Sequence, residues 1–373
     1  QLHHFLSLKP GDRIVTNLGK QALLALGIVK SDYKFRPERK EYRHTVDVDY
    51  YNVSDAGIPI PDFLRGKFGK TITPLTKDEY RSLEKLFPSK PPIYTLENFS
   101  HDTGFSEQEI SQWQRILLRK KHVIFQGPPG TGKTFVAQKL AKLLVSGTRG
   151  LVEIVQFHPA YAYEDFVQGI RPEIIHGQLS YMLMPGRFLE FCHRSAELGK
   201  DAPCVMIIDE INRANLARVF GELMFLLEYR DQEIPLSAGG EPFRIPENVY
   251  LIGTMNTADR SIALVDHALR RRFSFIRLRP NYEVLRVHLE SRGYSPESLI
   301  GVLKEINKAI GDSNYEIGIS FFIRNDDRLK EHLPDIWMGE IEPYLEEFFY
   351  DQPGKVEPFR WGNLIENKLK EWV

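Results

Sequence analysis

The chain has 373 residues, enough for two or three domains with their own cores, and its 42% hydrophobic and 27% charged content is that of an ordinary soluble globular protein. Its 49 basic and 50 acidic side chains leave a net charge of −1, which excludes a global field drawing it onto nucleic acid; any such contact must come from a local patch. The two cysteines, Cys192 and Cys204, lack CxxC spacing and exclude a disulfide framework or a cysteine metal site, and no apolar run approaches the ~18 residues of a membrane span. A reducing, cytoplasmic compartment fits this composition. The opening Gln1-Leu-His-His-Phe5 has no Met and reads as a cut into a larger protein.

Residues 1–95 read as a small β-rich fragment. The turn Pro10-Gly11-Asp12 precedes a strand at Arg13–Thr16, a second follows at Ala22–Val29, and His44–Tyr50 alternates with period two as a half-buried strand does. Pro88-Ser-Lys-Pro-Pro92 has the composition of a linker. Ser106-Glu-Gln-Glu109 is a capping box opening a helix through Arg119, with Ile110, Trp113, Ile116 and Leu117 as its apolar face. From there strands and helices alternate. Strands are predicted at His122–Gln126, Val152–Phe157, Cys204–Ile208, Tyr250–Thr254 and Phe273–Leu278, several of them apolar throughout, as strands covered on both faces of a parallel sheet must be. Beyond Pro280 helical periodicity dominates, at Glu283–Ser291, Leu299–Ile310 and Ile341–Phe349. The expected class is α/β: a β-rich piece at 1–95, a parallel-sheet core with flanking helices at 96–280, and a helical lid at 281–373.

Gly127-Pro128-Pro129-Gly130-Thr131-Gly132-Lys133-Thr134 matches GxxxxGK[ST] between a predicted strand and a helix at Thr134–Leu144. The glycines let the backbone curl so that its N–H groups face phosphate oxygens, and the helix N-terminus adds a favourable dipole. Lys133 would reach the β- and γ-phosphates, and the Thr134 hydroxyl would ligate Mg²⁺. About 75 residues on, the apolar run Val205–Ile208 ends in Asp209-Glu210. Two carboxylates at the end of a buried strand are costly unless they serve a cation and a proton. Asp209 would hold the Mg²⁺ shell, and Glu210 would orient and deprotonate the attacking water.

Four separated motifs then occur in order: His158-Pro-Ala-Tyr-Ala-Tyr-Glu-Asp-Phe-Val-Gln-Gly-Ile-Arg-Pro172, Asp209-Glu-Ile-Asn-Arg-Ala-Asn215, Thr254-Met-Asn-Thr-Ala-Asp-Arg260 and Ala268-Leu-Arg-Arg-Arg-Phe273. Over about residues 100–350 the chain resembles the McrB family. These are AAA+ motor subunits, dependent on GTP, of modification-dependent restriction systems. The resemblance implies an AAA+ P-loop NTPase core with a helical lid, built into a homohexameric ring whose sites lie at subunit interfaces. It implies Asn256 as the sensor that polarises water or the γ-phosphate, with Asp259 in the same signature. Residue chemistry alone offers a turn residue and an N-cap of a helix Ser261–Arg271. It implies an arginine finger among Arg270–Arg272, with Arg271 and Arg272 favoured; cations there also complement the helix dipole. Hairpins at Ile170–Met184, with His176-Gly177-Gln178 in its middle, and at Glu233–Ile245, tipped by Gly239-Gly240, would project towards the ring channel.

The resemblance also implies partners: a separate McrC-like endonuclease subunit that stimulates hydrolysis, and DNA reached through the assembled complex. No nuclease is expected in this chain. Pro334-Asp335 with Glu366-Asn-Lys368 fits the loose PD…ExK pattern, but Glu366 falls in an amphipathic helix, Asn363–Trp372, where metal-dependent cleavage wants strand ends. Lys9–Val15, Leu26–Val29, Tyr33 and Tyr42 resemble part of an EVE or PUA-like barrel, which can hold a flipped base; a structural adaptor is the other reading. GTP over ATP is a carry-over from the family. The segment Asn98–Phe105, with His101 and Asp102, and the lid beyond Pro280 are where a base would be met, since Asp can accept from the guanine N1–H and amine. Two other readings stay open: an ATP-dependent remodelling ring of the MoxR-like kind, and a nucleotide-gated assembly module that turns over little alone.

Overall fold

The structure, a computed structural model, describes residues 6–18, 22–36, 44–61, 64, 67, 73–86, 93–175, 178–237, 239–259, 267–323 and 328–372. Two units divide between Ile93 and Tyr94.

In the first unit β1 (Arg13–Leu18), β2 (Ala22–Val29) and β5 (Val48–Pro59) form an antiparallel sheet in the order β1-β2-β5. Short strands β3 (Lys34–Phe35) and β4 (His44–Thr45) pair separately. The strand predicted at His44–Tyr50 is therefore broken in two at Val46-Asp47. Asp47 is pulled out of the ladder: its carboxylate accepts from Lys34 Nζ at 2.8 Å, its N–H donates to Ser31 Oγ at 2.9 Å, and its carbonyl accepts from Lys30 N at 2.7 Å. A helix, α1 (Lys77–Glu84), stands in a stretch read as β-rich. Its signal was legible: Thr76 and Glu79 make a capping box, and Tyr80 and Leu83 pack with Leu23, Leu26, Ile60 and Leu64. Tyr42 and the Pro88–Pro92 linker lie outside the described residues.

In the second unit α2 (Leu96–Thr103) and α3 (Glu107–Lys120) lead into β6 (His122–Gly127), then α4 (Lys133–Val145), β7 (Val152–Gln156) and α5 (Tyr163–Phe166). The hairpin β8 (Gln168–Ile175) and β9 (Gln178–Pro185) follows, then α6 (Arg187–Leu198), β10 (Cys204–Asp209), α7 (Leu216–Phe220), α8 (Leu223–Glu228), β11 (Val249–Asn256), α9 (His267–Arg272) and β12 (Ser274–Arg277). Ser106 caps α3 as its capping box requires, and Ile110, Trp113 and Leu117 are buried. The five central strands are parallel, in the order β12-β6-β11-β10-β7. β10 and β11 are apolar and buried nearly end to end because separate clusters cover the two sheet faces, one around Phe166, Phe188 and Phe220, the other around Phe99, Trp113 and Leu140.

Among the described residues the predicted hairpin at Glu233–Ile245 shows one isolated antiparallel bridge, Ile234 to Phe243. Its tip is instead pinned by a side chain, Gln168 Nε2 donating to Gly239 O at 2.8 Å. The hairpin β8–β9 pairs fully, from Gln168 opposite Pro185 to Ile175 opposite Gln178, and its middle residues His176-Gly177 lie outside the described set. The predicted helix Ser261–Arg271 is described only as α9, since 260–266 also lie outside.

The lid comprises α10 (Tyr282–Glu290), α11 (Glu297–Ile310), α12 (Leu329–Ile336), α13 (Glu342–Phe348) and α14 (Trp361–Asn367), packed around Leu303, Phe322, Trp337 and Leu345. A π-helical turn, Trp337–Ile341, joins α12 to α13, so the helix predicted from Ile341 is the continuation of a longer one. Glu366 lies on α14, which ends at Asn367 rather than running to Trp372.

Candidate nucleotide-binding site

Strand order places the site. β6 and β10 both flank β11, so Gly127, Asp209 and Asn256 reach the C-terminal edge of the sheet side by side, with Asn256 in register with Gly127. Gly130 and Gly132 have φ of 75° and 80°, the left-handed region closed to most side chains. The loop's carbonyls are committed elsewhere. Pro128 O accepts from Thr131 Oγ1 at 2.9 Å and Lys133 Nζ at 2.8 Å, Pro129 O from Gly318 N at 3.1 Å, and Gly130 O from Ser320 N at 2.9 Å. That leaves backbone N–H groups for an anion, at the N-terminus of α4. The lid thus completes the phosphate loop, and only glycine can do so at 318, where a Cβ would come within 2.0 Å of Gly130.

Lys133 is 8% exposed. Burial pushes its ammonium down to about 8, against the pull of Glu210, Asp209 and Asp259. Its Nζ donates to Pro128 O within the loop. Asp209 Oδ1 accepts from Thr134 Oγ1 at 2.7 Å and from Thr254 Oγ1 at 2.5 Å. A hydroxyl and a carboxylate oxygen this close suit a hard cation bound mostly through water, so the donor set fits Mg²⁺.

Glu210 is held in an uncommon backbone conformation, φ 54° and ψ 42°. Its N–H donates to Thr254 Oγ1 at 3.1 Å, Asn256 Nδ2 donates to its Oε1 at 2.8 Å, and Arg213 Nε donates to its Oε2 at 2.9 Å. Asp259 sits beside this group, Oδ2 3.7 Å from Arg213 Nη2. Its predicted capping partner lies in the undescribed stretch. Gly127, Lys133, Thr134, Asp209, Glu210, Asn256 and Asp259 are therefore one cluster.

The arginines are elsewhere. α9 ends at the N-terminal edge of the sheet: Lys120 Nζ donates to Arg271 O at 3.0 Å, and His122, which opens β6, lies 3.4 Å from Arg272 O. β6 has six residues, which puts Arg271 and Arg272 roughly 16 Å from the P-loop of their own chain. The two differ. Arg271 is 75% exposed and pairs with Glu228 at 2.8 Å; Arg272 is 17% exposed and turns inward, to Glu228 at 3.2 Å and Met224 O at 2.5 Å. Arg270 lies over the Phe275 ring.

His101 is exposed, and Asp102 is occupied: burial would raise its carboxyl, but Lys139 and Tyr94, donating at 2.5 and 2.8 Å, outweigh this and lower it. Both donors share Oδ2, while Oδ1 lies 3.6 Å from His101 Nδ1.

Sequence reasoning missed Arg213, Thr254, the lid segment Gly318–Ser320 and the buried pair His122–Arg230. In that pair Arg230 Nη1 lies 3.1 Å from His122 Nε2, and burial and the guanidinium push the imidazole down to about 3. Arg213 and Thr254 lay inside quoted motifs. Gly318-Ile-Ser320 forms no motif, because backbone amides perform its role and residue type enters through the glycine at 318 alone.

Residues 122–273 match the AAA domain of the dynein-related subfamily, and residues 298–357 match the McrB alpha-helical lid domain. The chain is 41% identical over 301 residues to the Type IV methyl-directed restriction enzyme EcoKMcrB subunit of Escherichia coli (strain K12), covering 74% of this chain and 64% of the relative. The chain belongs to the McrB-type AAA+ family. A second relative, the Type II restriction enzyme BsuMI component YdiS of Bacillus subtilis (strain 168), is 27% identical over 190 residues, 41% of this chain and 55% of the relative. This McrB-type chain spans under two thirds of the length of either relative. Residues 1–76 match a domain of unknown function. Among the described residues no helix is long and apolar enough to cross a membrane.

Proposed function

We propose that this chain is the GTP-hydrolysing motor of a restriction complex, driving DNA translocation for a separate McrC-like nuclease subunit. The observation that carries the hydrolytic part is the single cluster of Lys133, Thr134, Asp209, Glu210 and Asn256 at one sheet edge. The loop amides of residues 128–134 bind the triphosphate, and Lys133 leaves Pro128 O for its β- and γ-oxygens. Thr134 and Asp209 would hold Mg²⁺, which supplies charge neutralisation along the phosphates when bound. Asn256 orients a water and Glu210 takes its proton as the water oxygen bonds to the γ-phosphorus. The bond from that phosphorus to the β–γ bridging oxygen breaks, and GDP leaves with its electron pair. Arg271 of a neighbouring copy in a homohexameric ring completes the charge at the γ-phosphate, with Arg272 holding its helix in place.

Preference for GTP rests on the relationship; Asp102 holds Lys139 and Tyr94 on Oδ2 and keeps Oδ1 as an acceptor. Labelled GTP should resist competition by ATP by at least about tenfold, because a site built around guanine's donors leaves buried groups unpaired with adenine. Equal affinities would favour the ATP-dependent remodelling ring. The purified chain should not cut DNA with or without GTP and Mg²⁺, because Glu366 is on helix α14 and not on a strand. Cleavage that disappears on Glu366→Ala would make the chain a fused motor and nuclease.

A further inference from the structure

Glu210 must aim an oxygen at the attacking water if it is to take its proton, and here the aim of both oxygens is held by donors, Asn256 on Oε1 and Arg213 on Oε2. The Arg213 side chain is 46% exposed against 20% for that of Glu210, so the guanidinium stands on the solvent side of the carboxylate. The contact is local, formed within one turn, since Arg213 N also donates to Glu210 O at 2.8 Å. Next to the same guanidinium lies an unmet acceptor. Asp259 Oδ2 is buried without a hydrogen-bond partner among the described residues, and at 3.7 Å from Arg213 Nη2 it is beyond hydrogen-bond length. A buried carboxylate oxygen left in that state is unfavourable. One guanidinium is thus shared unequally between two carboxylates.

We propose that Arg213 is a movable restraint on Glu210, released by transferring its hydrogen bond to Asp259. Exchanging one charge-assisted carboxylate bond for another is nearly balanced, so a small displacement of β11 on nucleotide loading suffices to tip it. The neighbouring Asn212 reports on the same strand: its Nδ2 donates to Asn256 O at 3.4 Å, linking the turn that carries Arg213 to the strand that carries Asn256. Arg213 acts through Glu210 and is a positioning residue, and Asp259 is the acceptor that frees the base. This rests on reading Glu210 as the water-activating group.

The test compares the parent chain with Arg213→Gln, Asp259→Asn and the double variant, measuring steady-state GTP and ATP hydrolysis alongside the affinity for a fluorescent nucleotide analogue. Arg213→Gln should raise turnover about three- to tenfold, the equivalent of one partly exposed charged hydrogen bond, with affinity unchanged within about twofold. Asp259→Asn should lower turnover by about tenfold or more, because the guanidinium then has nowhere to go. The double variant should regain the parent rate or exceed it. Arg213→Lys, which keeps the cation but not the fork, should fall between parent and Arg213→Gln if the variant chains melt alike. A drop in turnover for Arg213→Gln, or a double variant no faster than Asp259→Asn, overturns the restraint. A parent chain that binds nucleotide but turns over no faster than Glu210→Gln overturns the hydrolytic reading and this inference together.

Discussion

Lys133→Ala should lose measurable triphosphate binding, while Glu210→Gln should bind as the parent does and fall about 10²- to 10⁴-fold in turnover. The two residues sit in one cluster but touch different parts of the reaction. Lys133 is a nearly buried ammonium held by a single carbonyl, and a triphosphate is the partner that relieves its desolvation. Its loss removes charged hydrogen bonds to the phosphates, together worth about 3 kcal/mol or more, a hundredfold in affinity. The loop's shape should persist, since Thr131 still donates to Pro128 O and the lid still takes Pro129 O and Gly130 O. Glu210→Gln keeps the shape and an oxygen for Asn256 Nδ2 but cannot take a proton. Equilibrium binding and steady-state hydrolysis separate the two effects. Turnover of Glu210→Gln within about threefold of the parent would remove Glu210 from the mechanism.

Arg271→Ala should abolish hydrolysis in its neighbour's site while leaving nucleotide binding in its own. A finger of this kind contributes about 10³- to 10⁵-fold in turnover. Arg271 is exposed and lies at the opposite edge of the sheet from its own P-loop, so it cannot serve that loop without another copy. Mixing Arg271→Ala chains, which keep a P-loop, with Lys133→Ala chains, which keep a finger, should restore part of the activity that neither shows alone. Assembled mixed rings with no recovery would count against shared sites. Arg271 is a better probe than Arg272, because Arg272 is tied to Glu228 and Met224 within its own chain and its removal would loosen α9 itself.

The core was largely legible before the structure. All five central strands were placed to within about two residues, and for β6, β10 and β11 the signal was an apolar run, because a strand covered on both faces has few other compositions available. The capping box at Ser106 and the P-loop glycines were equally local signals. Locality also explains the errors. His44–Tyr50 alternates correctly, but Asp47 is claimed by Ser31, Lys30 and Lys34, partners up to 17 residues away that no local pattern announces. Glu233–Ile245 has the turn glycines of a hairpin, yet one bridge forms and Gln168 holds the tip.

For the site, sequence by itself determined which groups could bind phosphate, hold a cation or accept a proton, since those capacities reside in residue type and short spacing. Tertiary structure decided which of them meet. Parallel strand order brought Gly127, Asp209 and Asn256 to one edge and sent Arg271 to the other. The lid's backbone at Gly318 and Ser320 took up the loop carbonyls, and a turn of the chain laid Arg213 across Glu210. The lid contacts join residues far apart in the chain through main-chain groups that every residue carries, so side-chain pattern holds no record of them; the Glu210–Arg213 pair, three residues apart, is the local exception.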